Sequence, residues 1–211
     1  MNDVLDAITA HALVPVVVLD RVADADPLAS ALVTAGLPVA EITFRTAAGP
    51  DAVRAMADRG DVLVGAGTVL TPAQVDAAVA AGAAFVVSPG FSRAVVDRCA
   101  DHGVLALPGA TTATEIQAAL DAGLTTLKFF PAGTSGGSAA IRALAAPFPG
   151  LRFVPTGGIG PADLAEYLAV DAVAAVGGSW MVPRRMIADG AFDEVARLTR
   201  EAVALVAAAR Q

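Results

Sequence analysis

Short apolar, β-branched runs alternate with longer alanine-rich segments along the whole chain. Strands are predicted at residues 14–19, 39–44, 62–65, 85–88, 104–107, 125–129, 152–155 and 172–176. Each run is short and almost continuously apolar, as strands of a parallel sheet covered on both faces are. Each is followed by a segment with helical patterning, and a further helix is predicted at residues 2–12, ahead of the first strand. Several helices carry their own start signals. Thr71-Pro72 supplies a cap and then proline at the first helical position, and Thr112-Ala113-Thr114-Glu115 reads as a capping box. Glycines at 36, 60, 82, 103 and 123 close the helices.

Eight strands, each followed by a helix, predict an α/β fold of the (β/α)8 TIM-barrel type with a short N-terminal helix. The competing architecture is a doubly wound open sheet. It calls for a glycine-rich nucleotide loop after its first strand, and here that strand runs into Asp20-Arg21-Val22-Ala23-Asp24. No linker or low-complexity stretch interrupts the alternation, so residues 1–211 are expected to form one domain with a sizeable core.

Composition adjusts this picture in a few places. The chain is 55% hydrophobic with a mean hydropathy of +0.63, which raises the question of a membrane. Much of the apolar content is alanine, and no run approaches the roughly 18–20 residues of a spanning helix. No charged-then-apolar leader is visible, so a cytoplasmic protein is expected. A net charge of −7 weighs against nucleic acid and anionic membranes as partners. It also means that an anionic substrate has to be met by local groups. The single Cys99 excludes an intrachain disulfide and reads as an inert, buried thiol in a helix. His11 and His102 sit near helix ends, and no cluster has metal-ligand spacing, so no metal is expected.

The basic residues are the unusual feature. Thirteen are Arg and one is Lys128, in the strand-like run Leu127-Lys128-Phe129-Phe130-Pro131. An alanine-rich composition accounts for the missing lysines, but not for the survivor standing in a strand. Burial disfavours an ammonium, and a neutral lysine is a nucleophile toward carbonyls.

Barrel enzymes draw their chemistry from the C-terminal ends of the strands. Side chains alternate along a strand, so Glu41, Thr43 and Arg45 share one face of the second strand, with Ile42 and Phe44 on the other. On the sixth strand Thr126, Lys128 and Phe130 share a face. In a barrel these two strands lie across from each other, which lets Glu41 approach Lys128 over the lumen. A structural ion pair is the plainer reading of two such residues, but desolvation makes it a weak device for stability. Thr156-Gly157-Gly158-Ile159-Gly160 follows the seventh strand and Gly177-Gly178-Ser179 the eighth. Loops at these places bind phosphate through backbone N–H groups, and Ser179 adds a hydroxyl.

Taken together, Glu41-Ile42-Thr43-Phe44-Arg45-Thr46, Gly65-Ala66-Gly67-Thr68-Val69-Leu70, Ser88-Pro89-Gly90, Lys128-Phe129-Phe130-Pro131-Ala132, Pro155-Thr156-Gly157-Gly158-Ile159 and Gly177-Gly178-Ser179-Trp180 resemble one family. It is that of the 2-keto-3-deoxy-6-phosphogluconate (KDPG) and 4-hydroxy-2-oxoglutarate aldolases. The resemblance runs from about Leu13 to the last helix.

The resemblance implies a class I (Schiff-base) aldolase, a carbon–carbon lyase. It would reversibly cleave KDPG to pyruvate and D-glyceraldehyde 3-phosphate, the aldol step of the Entner–Doudoroff pathway. It further implies a homotrimer of (β/α)8 barrels without a separate cofactor. In this chain Lys128 would form the Schiff base and Glu41 would be the general acid/base. Arg45 and Thr68 would hold the pyruvate carboxylate, and Pro89 and Phe130 would wall the pyruvyl pocket. Gly157, Gly158, Gly178 and Ser179 would bind the phosphate. One position departs from the pattern: at Asp20 similar enzymes often carry a basic residue, so either Arg21 replaces it or the glycine loops suffice. The neighbouring readings are cleavage of 4-hydroxy-2-oxoglutarate or of the galactonate epimer of KDPG. A phosphate-binding barrel isomerase or synthase would share the glycine loops but has no need of Lys128, and a non-catalytic sugar-phosphate binder has no need of a nucleophile facing an acid/base group.

Overall fold

The computed structural model describes residues 2–210. In chain order the elements are α1 (Asn2–His11), β1 (Leu13–Val17), α2 (Ala25–Thr34), β2 (Val39–Thr43), α3 (Gly49–Ala57), β3 (Leu63–Gly67), α4 (Pro72–Ala80), β4 (Phe85–Val87), α5 (Arg93–Asp101), β5 (Leu105–Leu107), α6 (Ala113–Asp121), β6 (Thr126–Phe129), α7 (Gly137–Ala145), β7 (Arg152–Pro155), α8 (Leu164–Leu168), β8 (Val176–Gly178), α9 (Arg184–Ala188) and α10 (Phe192–Ala209). A short 3-10 turn, Val22–Asp24, precedes α2.

Local chemistry sets many of these boundaries. The Thr71 hydroxyl accepts from the Gln74 N–H at 3.3 Å, and Pro72 opens α4. At α6 the Thr112 side chain and the Glu115 carboxylate cap each other's backbone N–H groups. The five glycines expected to end helices all have left-handed backbone, with φ of 81°, 72°, 86°, 66° and 81°. A side chain there would be strained, and glycine is not.

All strand pairings are parallel. Six strands form one sheet in the order β5-β4-β3-β2-β1-β8, and β6 pairs with β7. Single bridges connect the two: Gly109 to Lys128 beside β5, and Thr156 to Gly177 at β8. The Lys128 N–H donates to the Pro108 carbonyl at 2.9 Å, and the Ala110 N–H donates to the Lys128 carbonyl at 2.9 Å. The result is an α/β fold with a curled parallel sheet and helices outside it.

The outward strand face is apolar and buried. Ile42, Leu127, Phe129 and Phe153 are fully buried, and the Phe129 and Phe153 rings meet edge-to-face at 6.0 Å. Inside the curl the filling is uneven. A Cβ on Gly65 would come within 2.3 Å of the Phe85 ring, so glycine on β3 is what admits that ring. Cys99 lies buried in α5.

The last strand is shifted from its predicted place at 172–176. Ala174 donates to the Phe153 carbonyl at 2.8 Å and Phe153 donates to the Ala172 carbonyl at 2.7 Å, so this apolar stretch serves β7. The ladder with β1 begins only at Val176, where Leu13 pairs with Val176, Val14 with Gly177 and Pro15 with Gly178. Gly177 and Gly178 therefore lie within the strand, not in the loop after it. Their lack of a side chain has a packing cause. A Cβ on Gly177 would come within 2.3 Å of Thr156 Oγ1, and one on Gly178 within 1.9 Å of the Trp180 ring.

Candidate active site

Strand alternation directs Glu41 from β2 and Lys128 from β6 into the interior of the curl. Lys128 Nζ lies 3.3 Å from Glu41 Oε1 and donates a hydrogen bond to it. Both are buried, at 6% and 4% exposure. The Phe130 ring stands 5.0 Å from the ammonium position, within cation–π range. Glu41 owes its room to β3. A Cβ on Gly67 would come within 2.2 Å of Glu41 Oε1. Thr43, on the same face as Glu41, is buried and donates to the Val17 carbonyl at 2.9 Å, which ties β2 to β1 and leaves no free hydroxyl.

Two cavities meet here. A small one of about 10 Å³ is lined by Glu41, Lys128, Phe85, Leu107, Thr156 and Gly177, among others. That is room for about one water beside the carboxylate and the amine. A larger one of about 290 Å³ opens to solvent and is lined by Arg45, Phe130, Gly157, Gly158, Gly178, Ser179 and Arg184, among others. Thr156 and Gly177 line both. The lysine thus sits at the inner end of a pocket whose outer part carries the glycine segments.

The outer cavity suits an anion. Its lining residues include two arginines and no acidic residue, although the chain as a whole has a net charge of −7. Gly157 and Gly158 have φ of +94° and +73°. Their N–H groups donate to no protein group among the described residues, while the Gly157 carbonyl accepts from Gly133 at 2.9 Å. Successive free N–H groups of this kind form an anion-binding concavity. A Cβ on Gly157 would meet the Phe130 ring at 3.0 Å, so this glycine is needed for the ring as well as for the backbone.

Most of the expected site residues come together: Glu41 with Lys128 and Phe130, and Arg45, Phe130, Gly157, Gly158, Gly178 and Ser179 around one cavity. Thr68 and Pro89 line neither cavity. Thr68 follows β3 with a left-handed φ of +58°, uncommon for a branched residue. The Pro89 carbonyl lies 2.1 Å from where a Gly109 Cβ would be, beside the bridge to Lys128.

The residue that sequence reasoning missed is Arg184. Asp20 after β1 holds it through a two-pronged ion pair: Nε donates to Oδ2 at 2.8 Å and Nη2 to Oδ1 at 2.5 Å. This pairing holds the Asp20 carboxyl below the usual carboxylate range, chiefly through the Arg184 hydrogen bonds. Arg21 does not take the place of a basic residue at position 20. It is occupied by Asp24 and by the Ala188 carbonyl, at 2.9 Å each, and does not line the cavity. The one available signal was the acidic Asp20 itself, which called for a cation nearby.

A curled parallel α/β fold with a buried lysine–carboxylate pair at the inner end of an arginine-lined pocket defines the class: an α/β protein of TIM-barrel-like type. The chain belongs to the KDPG and KHG aldolase family, whose model matches residues 4–198. It is 50% identical over 207 residues to a 2-dehydro-3-deoxy-phosphogluconate aldolase of Treponema pallidum, covering 98% of this chain and 99% of the relative. Among solved structures it is similar to a KDPG aldolase of Legionella pneumophila with pyruvate captured as a covalent carbinolamine, at 37% identity and a TM-score of 0.90 over 93% and 96% of the two chains. It is equally similar to a KDPG aldolase of Zymomonas mobilis with 3-phosphoglycerate, at 37% identity and a TM-score of 0.90 over 97% of each chain.

Proposed function

We propose that this chain is a class I aldolase that reversibly cleaves 2-keto-3-deoxy-6-phosphogluconate to pyruvate and D-glyceraldehyde 3-phosphate. The observation that carries the reading is the sole lysine, buried 3.3 Å from a buried carboxylate at the inner end of an arginine-lined pocket.

Lys128 attacks the C2 ketone of the substrate, giving a carbinolamine that loses water to form an iminium. Glu41, directly or through one water, removes the proton of the C4 hydroxyl. The C3–C4 bond then breaks, its electron pair moves into the iminium to form an enamine, and C4 leaves as the aldehyde of glyceraldehyde 3-phosphate. Glu41 returns the proton to C3, and water hydrolyses the resulting iminium to free pyruvate and the amine. Glu41 and Lys128 both line the small cavity. The protein supplies the electron sink from its own side chain, and no separate cofactor enters.

Arg45 and Thr68 hold the pyruvate carboxylate, Arg45 with a fork suited to two oxygens. Pro89 and Phe130 wall the pyruvyl group. The free N–H groups of Gly157 and Gly158, with Gly178 and the Ser179 hydroxyl, hold the phosphate. The scaffold is a closed (β/α)8 barrel forming a single domain, a reading supported by the bridges at Gly109 and Thr156. In the cell it acts as a cytoplasmic homotrimer.

The KHG activity in the family's description makes 4-hydroxy-2-oxoglutarate the second substrate to test. Pyruvate release coupled to a dehydrogenase gives kcat/KM for each. A clear advantage for KDPG is expected, and no advantage for the phosphorylated acid would overturn the substrate assignment.

A further inference from the structure

We propose that Arg184, oriented by Asp20, is a second anchor for the substrate phosphate and sets the preference for phosphorylated over non-phosphorylated 2-keto acids. The inference rests on the aldolase reading above and adds to it a specificity-determining residue and a positioning residue.

The topology puts the pair in place. β1 and β8 are hydrogen-bonded neighbours, so the loop carrying Asp20 and the segment carrying Arg184 emerge side by side. A second contact secures the same segment: Arg21 donates to the Ala188 carbonyl at 2.9 Å. Asp20 therefore grips the first residue of α9 and Arg21 the last.

A guanidinium has five N–H donors in a fixed plane. Asp20 takes one from Nε and one from Nη2, and the Arg184 side chain makes no other hydrogen bond among the described residues. Both donors of Nη1 and one of Nη2 remain. Arg184 lines the outer cavity with Gly157, Gly158 and Ser179, whereas Asp20 does not line it. The carboxylate thus lies outside the pocket that Arg184 lines. The pair is neutral overall, so its effect on a phosphate comes from oriented donors at short range. Arg45, in contrast, makes no ion pair among the described residues and contributes an uncompensated charge.

An exposed ion pair holding two loops together is the plain structural alternative, and such pairs contribute little to stability. The two roles separate in kinetics. The test measures kcat/KM on KDPG and on 4-hydroxy-2-oxoglutarate for the wild type, Arg184→Gln, Arg184→Lys and Asp20→Asn, with inorganic phosphate as a competitive inhibitor. For Arg184→Gln the ratio of the two kcat/KM values should fall about tenfold, as loss of one charged hydrogen-bond donor implies. The change should appear mainly in KM for KDPG, with a matching rise in the phosphate inhibition constant. Arg184→Lys should restore part of the ratio, and Asp20→Asn should lower it by less than Arg184→Gln. An unchanged ratio in Arg184→Gln, or an equal fall on both substrates, would overturn the inference while leaving the aldolase reading intact. A wild-type protein that cleaves neither substrate would overturn both.

Discussion

Lys128 Nζ and Glu41 Oε1 stand 3.3 Å apart although 87 residues separate them in sequence. Among the described residues neither has another charged group paired with it, and both are buried. A buried ion pair is a poor way to stabilise a fold, because desolvation offsets much of the attraction. The proposed mechanism gives the arrangement a use: Lys128 as the nucleophile and Glu41 as the carboxylate that manages its protons, placed at contact distance.

Removing the nucleophile tests that directly. Lys128→Ala should abolish cleavage of KDPG. It also leaves Glu41 buried without its partner, so stability should drop by about 3–5 kcal/mol. Circular dichroism shows whether the fold persists, and substantial kcat in a folded variant would exclude the Schiff base.

Glu41→Gln keeps the shape and the hydrogen bond but not the proton acceptor. Imine formation with pyruvate should remain, while turnover should fall by about 10²–10⁴-fold. Single-turnover kinetics separates the two steps. An unimpaired variant would remove Glu41 from the mechanism.

Gly67→Ala offers a subtler probe. The added Cβ would lie within 2.2 Å of Glu41 Oε1, and no left-handed backbone adds strain at this position. Displacing the carboxylate by about 1 Å should lower kcat by about 10²-fold. A Gly67→Ala enzyme with normal kcat would show that the position of Glu41 is not critical.

Acid should weaken the α6 cap. The Glu115 carboxyl is held below its usual range, first by the Thr111 N–H and then, after an opposing effect of burial, by the Thr112 side chain and N–H. Because the folded value is lowered, the cap contributes fully above the unfolded carboxylate pKa. Its contribution is lost as pH falls through the folded value. Glu115→Gln should therefore cost about 1 kcal/mol near neutrality, the usual worth of a cap. The gap in Tm from the wild type should close in acid.

Burial pushes the Cys99 thiol up to about 11. At pH 8 it is protonated and enclosed, so thiol reagents should not modify the native protein and should react once it is unfolded. Rapid labelling without unfolding would contradict the packing of α5.

What was legible in the chain depended on how local its cause is. Gly36, Gly60, Gly82, Gly103 and Gly123 end helices because a single residue must take a left-handed φ, and each does. The facing of Glu41 and Lys128 follows from two-residue alternation on two strands plus the curl of the parallel sheet. The position of β8 was not legible. Residues 172–175 are apolar enough for a strand, but the ladder that defines it depends on β1, and pairing begins at Val176. Arg184 was invisible for the same reason. It stands beyond the expected glycine segment, and only the neighbouring β1 loop brings Asp20 to it. Thr68 and Pro89 were picked out by motif alone, and the two cavities do not include them.

The most direct test of the central claim uses the fact that Lys128 is the only lysine. The protein is mixed with pyruvate and borohydride, and the intact mass and a peptide map are read. Apart from the α-amino group, Lys128 is the only amine open to trapping. A reduced pyruvyl adduct on the peptide containing Lys128 is the predicted result. A folded protein that yields no adduct there would make Lys128 structural and contradict the aldolase mechanism.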